Sequence, residues 1–166
     1  MANIKFSDFT AEATAATTEL VGYKTGTTVN TRYSLAQVAT GLKEHLVESF
    51  IVAASDETTA ITAATDLATF RMPYAFTLTA VRASLTTAGT TSGVTTIDIH
   101  ESGTTILSTK ITIDYDETTS VTAATAPVIS DAALANDAEM TIDVDGISGG
   151  GTEAGLKVTL IGYQTP

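Results

Sequence analysis

From residue 49 onward the chain alternates. Large apolar side chains recur at every second position, and Gly, Asp, Asn or Pro interrupts each short run. A period of two puts successive side chains on opposite faces of an extended backbone, so the pattern specifies strands with one buried face. Phe76–Leu85 is the cleanest stretch: Phe76, Leu78 and Ala80 face inward, and a shift of phase brings Leu85 to the same side. Val94–Glu101 sets Ile97 and Ile99 against Thr96, Asp98 and His100. Ala138–Val144 sets Met140, Ile142 and Val144 against Thr141 and Asp143. Further strands are expected over Ser49–Ala54, Thr58–Met72 (closed by Pro73), Thr104–Asp114, Ser120–Ile129 and Leu156–Ile161, with Ser102-Gly103 as a tight hairpin turn. Seven or eight short strands with no helix between them imply a mainly β chain, an antiparallel sandwich of jelly-roll kind.

The wet face of these strands carries threonine, roughly a fifth of the chain, in place of the usual lysine and glutamate. Threonine is β-branched and polar, which suits a solvated strand face. Charged residues make up only 16%, and the 43% hydrophobic content is too high for a disordered segment. The net charge of −11, from 8 basic and 19 acidic residues, argues against nucleic acid and an anionic membrane surface as partners. With no cysteine and two histidines, disulfide frameworks, Cys/His zinc sites and Cys–His catalysis are excluded. No run approaches the roughly 20 apolar residues of a membrane span. Met1-Ala2-Asn3-Ile4-Lys5 does not open a signal peptide, so a soluble chain made in a cytosol is expected.

Residues 1–48 read differently from residues 49–166, the sandwich region. Ile4, Phe6 and Phe9 are large apolar residues on an N-terminal arm, wasteful if merely solvated. Leu20, Val21 and Tyr23 open a small hairpin that turns around Gly26 and returns to Tyr33. Ser34 then offers an N-cap to a helix over Leu35–Val47. Leu35, Val38, Ala39, Leu42 and Leu46 form one narrow apolar stripe on it, while Lys43, Glu44 and Glu48 take the wet face. Gly41 weakens such a helix by about 1 kcal/mol relative to alanine. A stripe this narrow calls for a docking surface, so Ile4, Phe6, Phe9, Leu20, Val21, Tyr23, Leu35, Val38 and Leu42 are the candidate assembly interface. The plainer reading is that these elements pack on the second region of the same chain.

Chemistry leaves little trace. His45 and His100 each stand alone in the sequence, and no Gly-x-Ser-x-Gly elbow is present. Two strand acids converging for glycoside hydrolysis stay open on sequence grounds. Five Phe, five Tyr and no Trp make a thin lining for a sugar groove. Asp143-x-Asp145-Gly146 with Glu153 beyond resembles half a calcium loop without its third acid; Asp114, Asp116 and Glu117 form a second acidic group. Both read as solvated turns, so neither a metal nor a cofactor is expected. Asp56–Thr65 recurs as Asp116–Thr125, an acidic turn followed by a Thr/Ala strand, with no third copy.

Phe70-Arg71-Met72-Pro73-Tyr74-Ala75-Phe76 through Leu85, then Ile97-Asp98-Ile99-His100-Glu101-Ser102-Gly103 through Lys110, resemble a β-sandwich module of tailed-bacteriophage virion proteins. Asp137–Asp145 and Gly155–Leu160 fit the same pattern, and Leu20 through Leu42 looks like the N-terminal attachment modules of such proteins. In that family the module occurs in capsid decoration (cement) proteins and in fibres. The resemblance implies a non-catalytic virion protein, made in the host cytoplasm and seated on the capsid surface. Its implied partners are copies of itself in a homotrimer and the phage major capsid protein. Nothing here repeats enough to build a fibre shaft, which favours the cement protein. The alternative is a receptor- or glycan-binding module using loops near Thr86–Gly93 or Gly146–Glu153.

Overall fold

The structure, a computed structural model, describes residues 19–23, 30–43 and 46–165. The chain divides into two compact units, Met1–His45 and Leu46–Pro166. In the first, β1 (Glu19–Tyr23) pairs antiparallel with β2 (Asn30–Ser34), Glu19 opposite Ser34 and Tyr23 opposite Asn30. This is the expected pairing; the turn around Gly26 lies outside the described residues. Helix α1 (Leu35–Lys43) follows at once. The Gln37 amide donates to Ser34 Oγ at 3.2 Å and the Ser34 amide to Gln37 Oε1 at 2.9 Å, a reciprocal capping box at the expected N-cap. The helix is shorter than expected: Leu46 and Val47 lie outside it, because the next strand begins its ladder at Glu48.

The second unit holds β3 (Glu48–Ala53), β4 (Ala64–Arg71), β5 (Phe76–Ser84), β6 (Val94–Glu101), β7 (Thr104–Thr105), β8 (Leu107–Thr109), β9 (Ile111–Asp114), β10 (Val128–Ile129), β11 (Ala133–Leu134), β12 (Glu139–Gly146) and β13 (Lys157–Gln164). One sheet runs β3-β13-β5-β11; the other runs β4-β12-β6, with β7 and β9 sharing the outer edge of β6. Number the principal strands β3, β4, β5, β6, β9, β11, β12 and β13 from one to eight. The two sheets then read 1-8-3-6 and 2-7-4-5, the double Greek key of a jelly roll. A short third pairing joins β10 to β8.

Both inner faces supply the core. Phe76, Ile97, Ile99, Ile111, Met140, Ile142, Leu156, Val158 and Leu160 are all fully shielded from solvent. Each contributes roughly 1.5–3 kcal/mol by its burial. The Ser102-Gly103 turn has φ of 50° and 80° at its two central residues, the geometry that matches strand twist in a two-residue hairpin.

Four strand expectations change. In β5 the phase shift falls earlier than the sequence implies. Ile161 faces Ala80 but Gly162 faces Leu78, so Thr79 is an extra residue, a bulge. Val81 and Ala83 therefore take the core positions with Leu85, and Ala80 is left half-buried. Gly162 is required there, since a Cβ would lie 2.0 Å from the Thr77 carbonyl oxygen. Residues 58–63 are loop, because the Asp56 carboxylate accepts the Thr58 and Thr59 amides at 2.8 and 2.7 Å and turns the chain. Thr104–Asp114 breaks into three pieces, and of Ser120–Ile129 only Val128–Ile129 is strand. Ser120 is instead a buried clasp on β5: its amide donates to the Ala83 carbonyl at 3.0 Å, and its hydroxyl accepts the Ala83 amide at 2.9 Å. The two copies of the internal repeat thus end differently, the first entering β4 and the second remaining irregular.

Candidate functional site

The sequence nominates an assembly surface, and the described part of it bears exposed grease. On α1, Leu35 and Leu42 are 51% and 53% exposed, and Val38 is half-buried. Leu20, Val21 and Tyr23 stand in the hairpin opposite Tyr33, Arg32 and Asn30. Ile4, Phe6, Phe9 and His45 lie outside the described residues. In the second unit Leu46, Val47 and Ile51 are also mostly exposed, which alternation did not anticipate. Phe50-Ile51-Val52-Ala53 is an unbroken apolar run, so both faces of β3 are apolar, and in a two-layer sandwich the face turned away from the core is left bare.

A polar row crosses the outward face of the β4-β12-β6 sheet. Asp98 lies directly opposite Asp143, an arrangement that repels unless charge is supplied. Lys110 supplies it, its Nζ 3.0 Å from Asp98 Oδ2 and 2.6 Å from Asp145 Oδ2. His100 sits between the two opposed acids, Nε2 3.7 Å from Asp98 Oδ2 and Nδ1 3.5 Å from Asp143 Oδ2. Asp98 Oδ1 accepts the Thr105 hydroxyl at 2.6 Å and the Ile99 amide at 2.8 Å, and Asp143 Oδ1 accepts the Asp66 amide at 2.8 Å. Burial pushes the Asp98 carboxyl up, yet the bonds from Thr105, Lys110 and the Ile99 amide outweigh it and hold the group below the carboxylate range. The same contacts with Asp145 and Asp98 raise Lys110. Each acid is satisfied by a neighbour on another element, so the row ties β4, β6 and β12 to the segment after β8. Among the described residues, no group of three or more His, Asp or Glu is arranged to hold a metal ion.

The loops Thr86–Gly93 and Gly146–Glu153 meet at one end of the sandwich. Thr91 donates its amide to the Gly149 carbonyl at 3.0 Å, Gly149 donates to Ser92 at 2.9 Å, and the Thr152 hydroxyl reaches the Ala88 carbonyl at 3.0 Å. Beneath them lies Glu153, wholly buried. Its Oε1 accepts the Ser148 hydroxyl and, at 3.2 Å, the Thr95 hydroxyl; among the described residues Oε2 has no partner. Burial raises this carboxyl, and the bonds led by Ser148 bring it below the usual range. Gly89 packs directly on the pair, and Gly150 at φ 102° lets the loop pass Thr90 and Thr91. Neither loop carries a Phe or Tyr on which a sugar ring would stack.

Comparison with known protein families, with curated proteins and with solved structures finds no match.

Proposed function

We propose that this chain is a capsid decoration (cement) protein of a tailed bacteriophage, which binds the outer surface of the head and stabilises it without making or breaking a bond. The observation that carries the reading is the half-exposed leucine pair on α1, Leu35 and Leu42, on a nine-residue helix that follows a two-stranded hairpin. So short a helix is marginal in water and gains stability from an apolar surface laid against it. Burying the exposed half of each leucine contributes about 1 kcal/mol. Copies arranged with threefold symmetry repeat that contribution, which favours a homotrimer on the major capsid protein. The likeness of Phe70–Lys110 to phage sandwich modules and the arm residues Ile4, Phe6 and Phe9 point the same way.

The test is co-sedimentation of purified protein with empty heads. Deleting residues 1–33 should abolish binding and leave a folded sandwich; binding that survives the deletion overturns the reading. The convergence of the loops Thr86–Gly93 and Gly146–Glu153 favours one alternative, a glycan-binding tip. Saccharide binding on an array, with no binding to heads, would put that alternative first.

A further inference from the structure

The strand β3 is the outer strand of its sheet and β4 that of the facing sheet; among the described residues neither has a partner on its free side. Sandwich proteins guard such edges with bulges, charges or short strands, because a bare edge pairs with any strand that reaches it. The other edges here are guarded. β11 is two residues long, β4 is kinked by Asp66 at φ 52° and slips register against β12, and the outer edge of β6 is divided between short β7 and β9. β3 has no such protection. Its six residues run in unbroken register with β13, from Glu48 opposite Gly162 to Ala53 opposite Lys157, and Glu48 is their only charge. Ile51 is 68% exposed at its middle. The core is also thin on this side: Phe50 and Val52 of β3, Leu67 and Phe70 of β4, and Tyr74 pack on it yet stay only partly buried.

We propose that the arm of a second copy supplies the missing strand, residues 3–9 pairing with β3. Ile4 and Phe6 alternate with Asn3, Lys5 and Ser7, the period a strand needs to set two large apolar groups over Phe50 and Val52 and keep those three polar residues outward, with Asp8 falling past them at the end of β3. The seven-residue stretch is long enough to cover six-residue β3. Nine residues, 10–18, lie between that stretch and β1, a reach of roughly 30 Å when extended. This rests on the arm being an assembly element, as proposed above, and names the surface it occupies.

The chain has no cysteine, so introduced ones report cleanly. Full-length Ser7→Cys is mixed, without heads, with isotope-labelled Ser49→Cys or Ala53→Cys and mildly oxidised. Neighbouring strands hold Cα atoms about 4.5–5.5 Å apart, within disulfide range. The expected product is a labelled–unlabelled dimer at twice the 17.1 kDa chain mass, with the residue-7 peptide joined to the β3 peptide. Ile51→Lys in the acceptor, a charge placed on the edge, should abolish it. No mixed dimer, whether nothing couples or a doubly substituted chain closes on itself, overturns the proposal. Head binding is measured separately, so either reading can fail while the other stands.

Discussion

Replacing Gly89 by alanine tests whether the buried Glu153 pair organises the loop end of the sandwich. The backbone of Gly89 is not left-handed, so the effect is steric alone. An added Cβ would stand 1.9 Å from Ser148 Oγ and 2.6 Å from Glu153 Oε1. Ser148 must rotate away, which takes a hydroxyl donor from a buried carboxylate whose other oxygen already has none. Loss of a hydrogen bond to a charged group costs about 1.5–3 kcal/mol, and overpacking adds about 1–3 kcal/mol. Fewer unfolded conformations for alanine return about 0.4–1 kcal/mol. The net expectation is a loss of about 3 kcal/mol, or roughly 10 °C in Tm for a unit of this size. Denaturant and thermal unfolding of the full chain at neutral pH read it directly. Ser148→Ala removes the nearest obstacle, so the double variant should be less destabilised than the sum of the two singles, by about 1 kcal/mol. A Gly89→Ala protein within about 0.5 kcal/mol of the parent, or strict additivity, would refute the reasoning.

Acid should destabilise the chain in a defined window. Asp98 and Glu153 have folded values below the ordinary carboxylate range, and Asp56 is lowered to about 2 by the Thr59 and Thr58 amides. Groups depressed on folding contribute stability that is complete above the unfolded value of about 4 and is lost as pH falls through the folded one. Glu153→Gln should therefore flatten the fall in Tm between neutral pH and pH of about 3, and an unchanged slope would show that Glu153 is not among the groups responsible. Ile142→Ala, at a fully buried position between the sheets, should cost about 2–5 kcal/mol by urea unfolding. Gly103→Ala, at φ 80° in the hairpin turn, should cost about 1 kcal/mol by the same measurement. Leu35→Asp with Leu42→Asp should weaken head binding while the sandwich keeps its Tm, since both residues are exposed.

Much of the sandwich was legible because the large apolar residues of its central strands recur at every second position. Ile97 with Ile99 and Met140 with Ile142 and Val144 fall on the core side as the period requires, and Ser34 caps its helix because a hydroxyl there meets free amides. The assembly candidates on α1 were legible from their spacing. Their exposure was not, since a stripe of leucines looks the same whether covered or bare.

What the amino-acid order determines alone is local or compositional: the period-two runs, the Ser102-Gly103 turn, the hairpin before the cap, and the net charge of −11. The order of strands in the two sheets, the bulge at Thr79, the meeting of Asp98 with Asp143 through Lys110, and the burial of Glu153 beneath distant glycines were decided only in three dimensions. The physical reason is that each depends on residues far apart in the chain, whose pairing is fixed by how two whole sheets close over one core rather than by any neighbour in sequence.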